Sequence, residues 1–139
     1  MIKPIPKPEG LNAEFYEHCA RHELRFQRCE CGVWRHPPRV LCAACGSEEW
    51  TWAPASGRGR VFTWTVTHQA LHPAYADDVP YAVLVVEMDE GVRMVSSLRD
   101  LDPGDLALDL PVEVVFEARP DATRPDAITL PCFRPSTRR

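Results

Sequence analysis

Residues 57–98, GRGRVFTWTVTHQALHPAYADDVPYAVLVVEMDEGVRMVSSL, decide the fold. Three segments inside them, RVFTWTVTHQ, PYAVLVVEMDE and VRMVSSL, are rich in β-branched and aromatic residues, which fit a pleated, half-buried surface. Between VLVVEM and VRMVSS, Asp89-Glu90-Gly91 predicts a tight hairpin in which glycine supplies the positive φ. Downstream, PVEVVFEAR and AITLPCF add two more strand candidates. They follow RDLDPGDLALDL, where Pro103-Gly104 signals a turn and Leu101, Leu106, Leu108 and Leu110 are expected to plug one end of a barrel. Five short strands and one intervening segment predict a small, partly open barrel of the OB type over residues 54–139.

Upstream the pattern changes. Residues 1–10 place Pro4, Pro6 and Pro8 at alternate positions and predict an extended arm. Leu11, Phe15 and Cys19 then recur at helical spacing, with Asn12 as the expected N-cap and Glu14 and Glu17 near the start, so residues 11–24 predict one short amphipathic helix. A helix this short is marginal alone, and Phe15, Tyr16 and Leu24 are expected to dock on the rest of the chain or on another subunit. The chain therefore divides into an arm and helix at 1–24, a cysteine-bearing segment at 25–53 and the barrel.

That middle segment is too poor in aliphatic residues to make its own core. Cys29-Glu30-Cys31-Gly32 and Cys42-Ala43-Ala44-Cys45-Gly46 each set a cysteine pair directly before a glycine. Each pair can form a turn whose backbone N–H groups face the sulfurs, and the glycine lets the chain leave it with positive φ. Four thiolates at ~2.3 Å around zinc make a closed, structural site. The first pair has one intervening residue rather than two. Either that loop adapts, or three cysteines are joined by another ligand such as His36; four reduced thiols and a redox pair at Cys42 and Cys45 are the other readings. Cys19 and Cys132 stand apart and receive no assignment.

Composition narrows the function. The 139 residues carry 16 basic and 20 acidic side chains, for a net charge of −4. The first 52 residues are balanced at seven against seven, so the acidic excess belongs to the remainder, nine against thirteen, which disfavours a phosphate-tracking barrel. The longest strongly apolar run, Tyr81–Val86, is far short of the ~20 residues that span a bilayer. The proline-rich start lacks a secretory apolar segment, and a cytoplasmic location is expected.

No catalytic set stands out. His68, His72, Tyr75, Asp77 and Asp78 share one loop, where they read either as acid–base candidates or as solvated loop residues. Ser96-Ser97 lies on a strand rather than on a nucleophile elbow. Gly57-Arg58-Gly59-Arg60 opens a strand and lacks the Walker lysine. Arg21, His22, Arg25, Arg28, Arg35, His36 and Arg39 form the one basic concentration, which suits phosphate contact or simply coats a ribbon. Trp50, Trp52, Phe62 and Trp64 bracket the junction with the barrel and read as its core or as a base-stacking surface.

The order FYEHCARHELRFQRCECG, HPPRVLCAACGS, ASGRGRVFTWTVTHQ and VPYAVLVVEMDEGVRMVSSL resembles a known family across residues 11–118. That family joins an N-terminal helix, a rubredoxin-like zinc ribbon and an OB-fold, and is associated with acyl-CoA metabolism. The resemblance implies a mainly β protein that is not an enzyme by itself but a non-catalytic subunit of a thiolase-fold partner. Thiolases, synthases of acetyl-CoA derivatives and lipid-transfer-protein-like aldolases that shorten steroid-CoA side chains are the implied partners, and the catalytic groups would be theirs. Zinc on Cys29, Cys31, Cys42 and Cys45 follows as the cofactor, with a coenzyme A thioester as ligand of the complex. Arg35, Arg39, Arg58 and Arg60 are candidate contacts to that ligand's phosphates. Phe15, Tyr16, Val33, Trp34, Pro37 and Pro38 are candidates for the partner surface. A single-stranded nucleic-acid binder is the rival, because ribbons and OB barrels also serve that role.

Overall fold

A computed structural model describes residues 1–137. Residues 1–9 have no regular structure, as their prolines dictate. Helix α1 (Leu11–Ala20) buries Phe15 and Cys19, which lie one turn apart, and leaves Tyr16 half-buried against the core. The expected Asn12 cap is corrected: Gly10 occupies that position with φ 58°, no side chain caps the helix, and Asn12 falls inside the first turn. The helix also ends four residues before the expected Leu24, because His22 turns the chain at φ 59°.

The cysteine segment forms a three-stranded antiparallel sheet in the order β2-β1-β3, from β1 (Arg25–Cys29), β2 (Trp34–Arg35) and β3 (Trp50–Pro54). It has little apolar interior of its own. Leu24 and Phe26 join Phe15 and Cys19 of the helix and Val61, Leu84 and Phe133 of the barrel in one continuous core. Trp52 and Trp64 pack against that core from the junction, and the Trp52 indole donates to Glu14 Oε1 at 3.2 Å, tying β3 to α1.

The second sheet has five antiparallel strands in the order β6-β5-β4-β7-β8. They are β4 (Arg58–Thr67), β5 (Tyr81–Met88), β6 (Arg93–Ser97), β7 (Pro111–Arg119) and β8 (Ile128–Pro135). Strand β5 alternates without fault, with Ala82, Leu84, Val86 and Met88 inside. The hairpin lies where the sequence puts it, since Gly91 at φ 92° donates its N–H to Met88 O at 2.8 Å. A parallel bridge between Leu98 and Phe133, with Arg99 N–H donating to Phe133 O at 2.7 Å, joins the two outer strands and closes the OB-type barrel. In the segment before β7, Leu106 and Leu110 pack on the core. Leu108, 69% exposed, does not, because backbone bonds from Asp109 to Val61 and from Val61 to Leu110 hold the neighbouring turn across β4.

Candidate metal centre and ribbon surface

Two turns bring the four cysteines together. In the first, Cys29 N–H donates to Val33 O and Gly32 N–H to Cys29 O; in the second, Cys42 N–H donates to Ser47 O and Gly46 N–H to Cys42 O. Gly32 and Gly46 leave these turns at φ 93° and 76°, conformations that suit glycine. Glu30 crosses between the turns: its N–H donates to Glu49 O and its carboxylate accepts from Ser47 Oγ at 2.8 Å. The single-residue spacing of Cys29 and Cys31 is thus accommodated by the loop itself.

The resulting geometry fits a tetrahedral ion. All four sulfurs lie within 4.8 Å of one another, with Cys29 to Cys45 at 3.5 Å and Cys31 to Cys42 at 3.8 Å. A metal with four sulfurs at ~2.3 Å requires edges of about 3.8 Å. Backbone N–H groups of Cys45 and Ala44 face the Cys42 sulfur and pull its thiol down to about 6, while the neighbouring sulfurs push Cys29 up and Cys45 up to about 12, so that without a metal the cluster favours one thiolate, at Cys42. Cys29 and Cys42 are buried, Cys31 and Cys45 exposed. His36 is excluded as a fourth ligand by its position, for its ring packs 5.1 Å from both Phe15 and Phe26, and burial lowers its pKa to about 4.

The other candidate residues are dispersed. Arg35 is an interior residue, which corrects its reading as a phosphate contact: its guanidinium donates to Gln27 Oε1 and to the carbonyls of Arg39 and Val40, and stacks over Trp50. Arg39 is exposed on the following loop. Arg58 and Arg60 stand on β4, in the other sheet, with Arg60 3.9 Å from Glu87. Phe15 is only 4% exposed, so it belongs to the core and not to a partner surface. Val33 and Pro37 are exposed; Tyr16, Pro38 and Trp34 are half-buried, Trp34 beneath the Arg28 guanidinium. Next along the chain, Val40 and Leu41 are 62% and 52% exposed, which the sequence reading passed over. Their signal was an aliphatic pair in a loop with no strand or helix pattern to bury it.

The histidine loop is occupied with its own architecture. His72 Nδ1 accepts from Ala74 N–H and caps a short 3₁₀ turn (Pro73–Tyr75), while Asp78 pairs with Lys3 at 2.6 Å. Ser96 Oγ donates to Pro131 O. Cys19 and Cys132 are buried, and burial pushes the Cys19 thiol up to about 12, which suits core packing and opposes nucleophilic use. No helix among the described residues is long and apolar enough to cross a membrane.

A helix, a four-cysteine ribbon and a closed barrel sharing one core define a zinc-ribbon and OB-barrel protein. The chain belongs to the ChsH2 family, also called DUF35: residues 17–51 match the ChsH2 rubredoxin-like zinc ribbon domain and residues 52–117 its C-terminal OB-fold domain. Among relatives, a probable enoyl-CoA hydratase alpha subunit of Thermomonospora curvata is 36% identical over 97% of this chain and 40% of its own length. The 3-oxo-4,17-pregnadiene-20-carboxyl-CoA hydratase alpha subunit of Mycobacterium tuberculosis is 38% identical over 84% of this chain and 37% of its own. The chain thus spans about two-fifths of these relatives. A chain of a solved structure described as an Ltp2-ChsH2(DUF35) aldolase superposes with a TM-score of 0.81 at 35% identity, covering 94% of this chain and 98% of that one.

Proposed function

We propose that this chain is a non-catalytic accessory subunit of a thiolase-fold enzyme acting on acyl-CoA thioesters. Its specific context is a steroid-CoA aldolase that cleaves a side-chain carbon–carbon bond in the cytoplasm. The observation that carries the reading is the likeness over nearly the full length of both chains to one component of a two-component aldolase. The steroid-CoA name of a relative supports the substrate class. On this reading the chain stabilises its partner and shapes the acyl-CoA entrance.

Structural zinc on Cys29, Cys31, Cys42 and Cys45 is part of the proposal. It would cross-link the two turns and hold the ribbon in shape where apolar contacts are few. The partner surface we propose is the stretch of the ribbon from Val33 to Leu41, in which Val33, Pro37, Val40 and Leu41 are exposed and Trp34 and Pro38 half-buried. Where exposed apolar side chains form one contiguous patch they mark an interaction site, which is what this reading requires of the stretch. Arg39, Arg58 and Arg60 remain candidate contacts to coenzyme A in the complex.

Native-mass analysis of the tagged chain captured from its source cytosol, with zinc counted on the same sample, tests the proposal. A thiolase-sized partner with about one zinc per chain is the expected result. A monomer that elutes with nucleic acid and binds single strands with steep salt dependence overturns it.

A further inference from the structure

The barrel carries a cleft of its own, and none of its lining residues comes from the cysteine segment at 25–53. Where the β4–β5 loop meets the segment after β6, the barrel end opens into a cleft of about 620 Å³, within the range of small-molecule sites. Glu117 sits in it between two guanidiniums, accepting from Arg99 Nε at 2.7 Å and pairing with Arg119 Nη2 at 2.9 Å. The bond from Arg99 holds the Glu117 carboxyl below its usual range, so one fixed negative charge faces two positive ones. The Arg119 side chain is only 15% exposed, and its buried Nε has no hydrogen-bond partner. That nitrogen has no accessible surface, so what the cleft offers a ligand is the exposed 15% of the side chain and not the Nε.

The remaining walls are of a different character. Tyr75 and Tyr81 stand with ring centroids 5.8 Å apart, and Leu98, Leu101 and Leu130 add aliphatic surface. Lys3, from the N-terminal arm, reaches the rim, where it pairs with Asp78 and lies 5.4 Å over the Tyr75 ring. Asp77 and Asp78 make that rim acidic beyond the one lysine.

We propose that this cleft binds a small organic anion, its single carboxylate or phosphate head on Arg99 and Arg119 and a neutral ring or aliphatic body between the tyrosines and leucines. One positive charge in excess at the arginines suits one acidic head. The two rim aspartates repel further negative charge, so a polyanion such as a nucleic-acid backbone is disfavoured. The proposal does not rest on the accessory-subunit reading, since every lining residue named comes from this chain.

The test is titration of the full chain with 2-naphthoate, 2-naphthyl phosphate and neutral 2-naphthol, followed by calorimetry and by amide NMR shifts. Binding of at least one anion, tenfold or more tighter than the naphthol and with shifts confined to Tyr81, Arg99, Leu130 and their neighbours, is expected. Naphthoate alone would identify a carboxylate ligand, naphthyl phosphate alone a phosphate ester, and both an unselective acidic head. Arg119→Gln should weaken the anion tenfold or more. Should that variant not fold, Tyr75→Ala, on the rim loop, should weaken it several-fold instead. Naphthol binding as tightly as either anion, or no cleft shifts with any of the three, overturns the proposal.

Discussion

Gln27 and Arg35 meet inside the ribbon, where Arg35 Nε donates to Gln27 Oε1 at 3.1 Å while Gln27 is wholly buried. Around this bond a single loop is clamped: Gln27 Nε2 and Arg35 Nη2 both donate to Arg39 O, at 2.7 and 2.8 Å, and Arg39 N–H returns to Gln27 Oε1 at 2.7 Å. A charged, buried network of this kind fixes one arrangement of the backbone. The backbone it fixes carries Pro37, Val40 and Leu41 into solvent. Arg35 therefore orders the proposed partner surface from within.

Arg35→Met should remove the charged donors, take from the Val40 carbonyl its bond from Arg35 and leave the Arg39 carbonyl and the Gln27 amide oxygen with only their bonds to each other's residue, costing about 2 kcal/mol. Urea unfolding of the metal-loaded protein measures this. Arg39→Ala, which removes an exposed side chain and keeps the clamped backbone, should change stability by no more than about 0.5 kcal/mol. Equal losses in the two variants would mean that the network contributes little.

The next expectation concerns the metal. Cys42→Ser should bring zinc content from about one per chain to near zero, because a closed four-thiolate site loses its geometry with any ligand. In hydrogen exchange, a strong chelator should release protection in β1, β2 and β3 before the paired strands β4 and β5, whose ladder does not depend on the turns. Simultaneous loss in both sheets would place the whole shared core under the metal's control.

Much of this fold was legible beforehand because local chemistry dictated it. The strict alternation of β5, the glycine of the hairpin and the two Cys–Gly turns state their conformations in the residues themselves. Long-range consequences were not legible. Arg35 looks like its exposed neighbours in sequence, and only the pairing of β1 with β2, Gln27 opposite Arg35, makes it internal. Phe15 was rightly placed on the apolar face of a helix, yet whether that face meets the chain or a partner depends on the shared core. Of the cleft arginines, Arg119 ends strand β7 and Arg99 follows β6, and neither position announces a partner in the sequence. Pairing Glu117 with both of them needs Arg99, after β6, brought beside β7 by barrel closure.

Gly59 gives the opening motif of β4 a steric reason. A Cβ there would lie 2.5 Å from Glu87 O and 2.8 Å from Val86 Cγ1, across the tight pairing of β4 with β5. The backbone oxygen cannot swing aside as a side chain can. Gly59→Ala should therefore cost about 3 kcal/mol or more, read as a fall in the urea midpoint. A midpoint within error of the wild type would mean that the strands separate freely at this point.

His36 supplies a pH dependence with a definite sign. Burial between Phe15 and Phe26 lowers its pKa to about 4, below its ordinary value of 6.5. The unfolded chain therefore binds a proton at a higher pH than the folded one does. The contribution is fully present above pH 6.5, where both states are neutral, and is lost as pH falls toward 4. Between pH 7 and pH 5 the loss should be about 2 kcal/mol. Other groups titrate over this range, among them the Cys42 thiol, so the informative quantity is a difference. Subtracting the pH profile of His36→Phe, which keeps an aromatic ring between the same partners, from that of the wild type isolates the histidine. A difference that stays flat from pH 7 to 5 would show the imidazole already reaching water in the folded state.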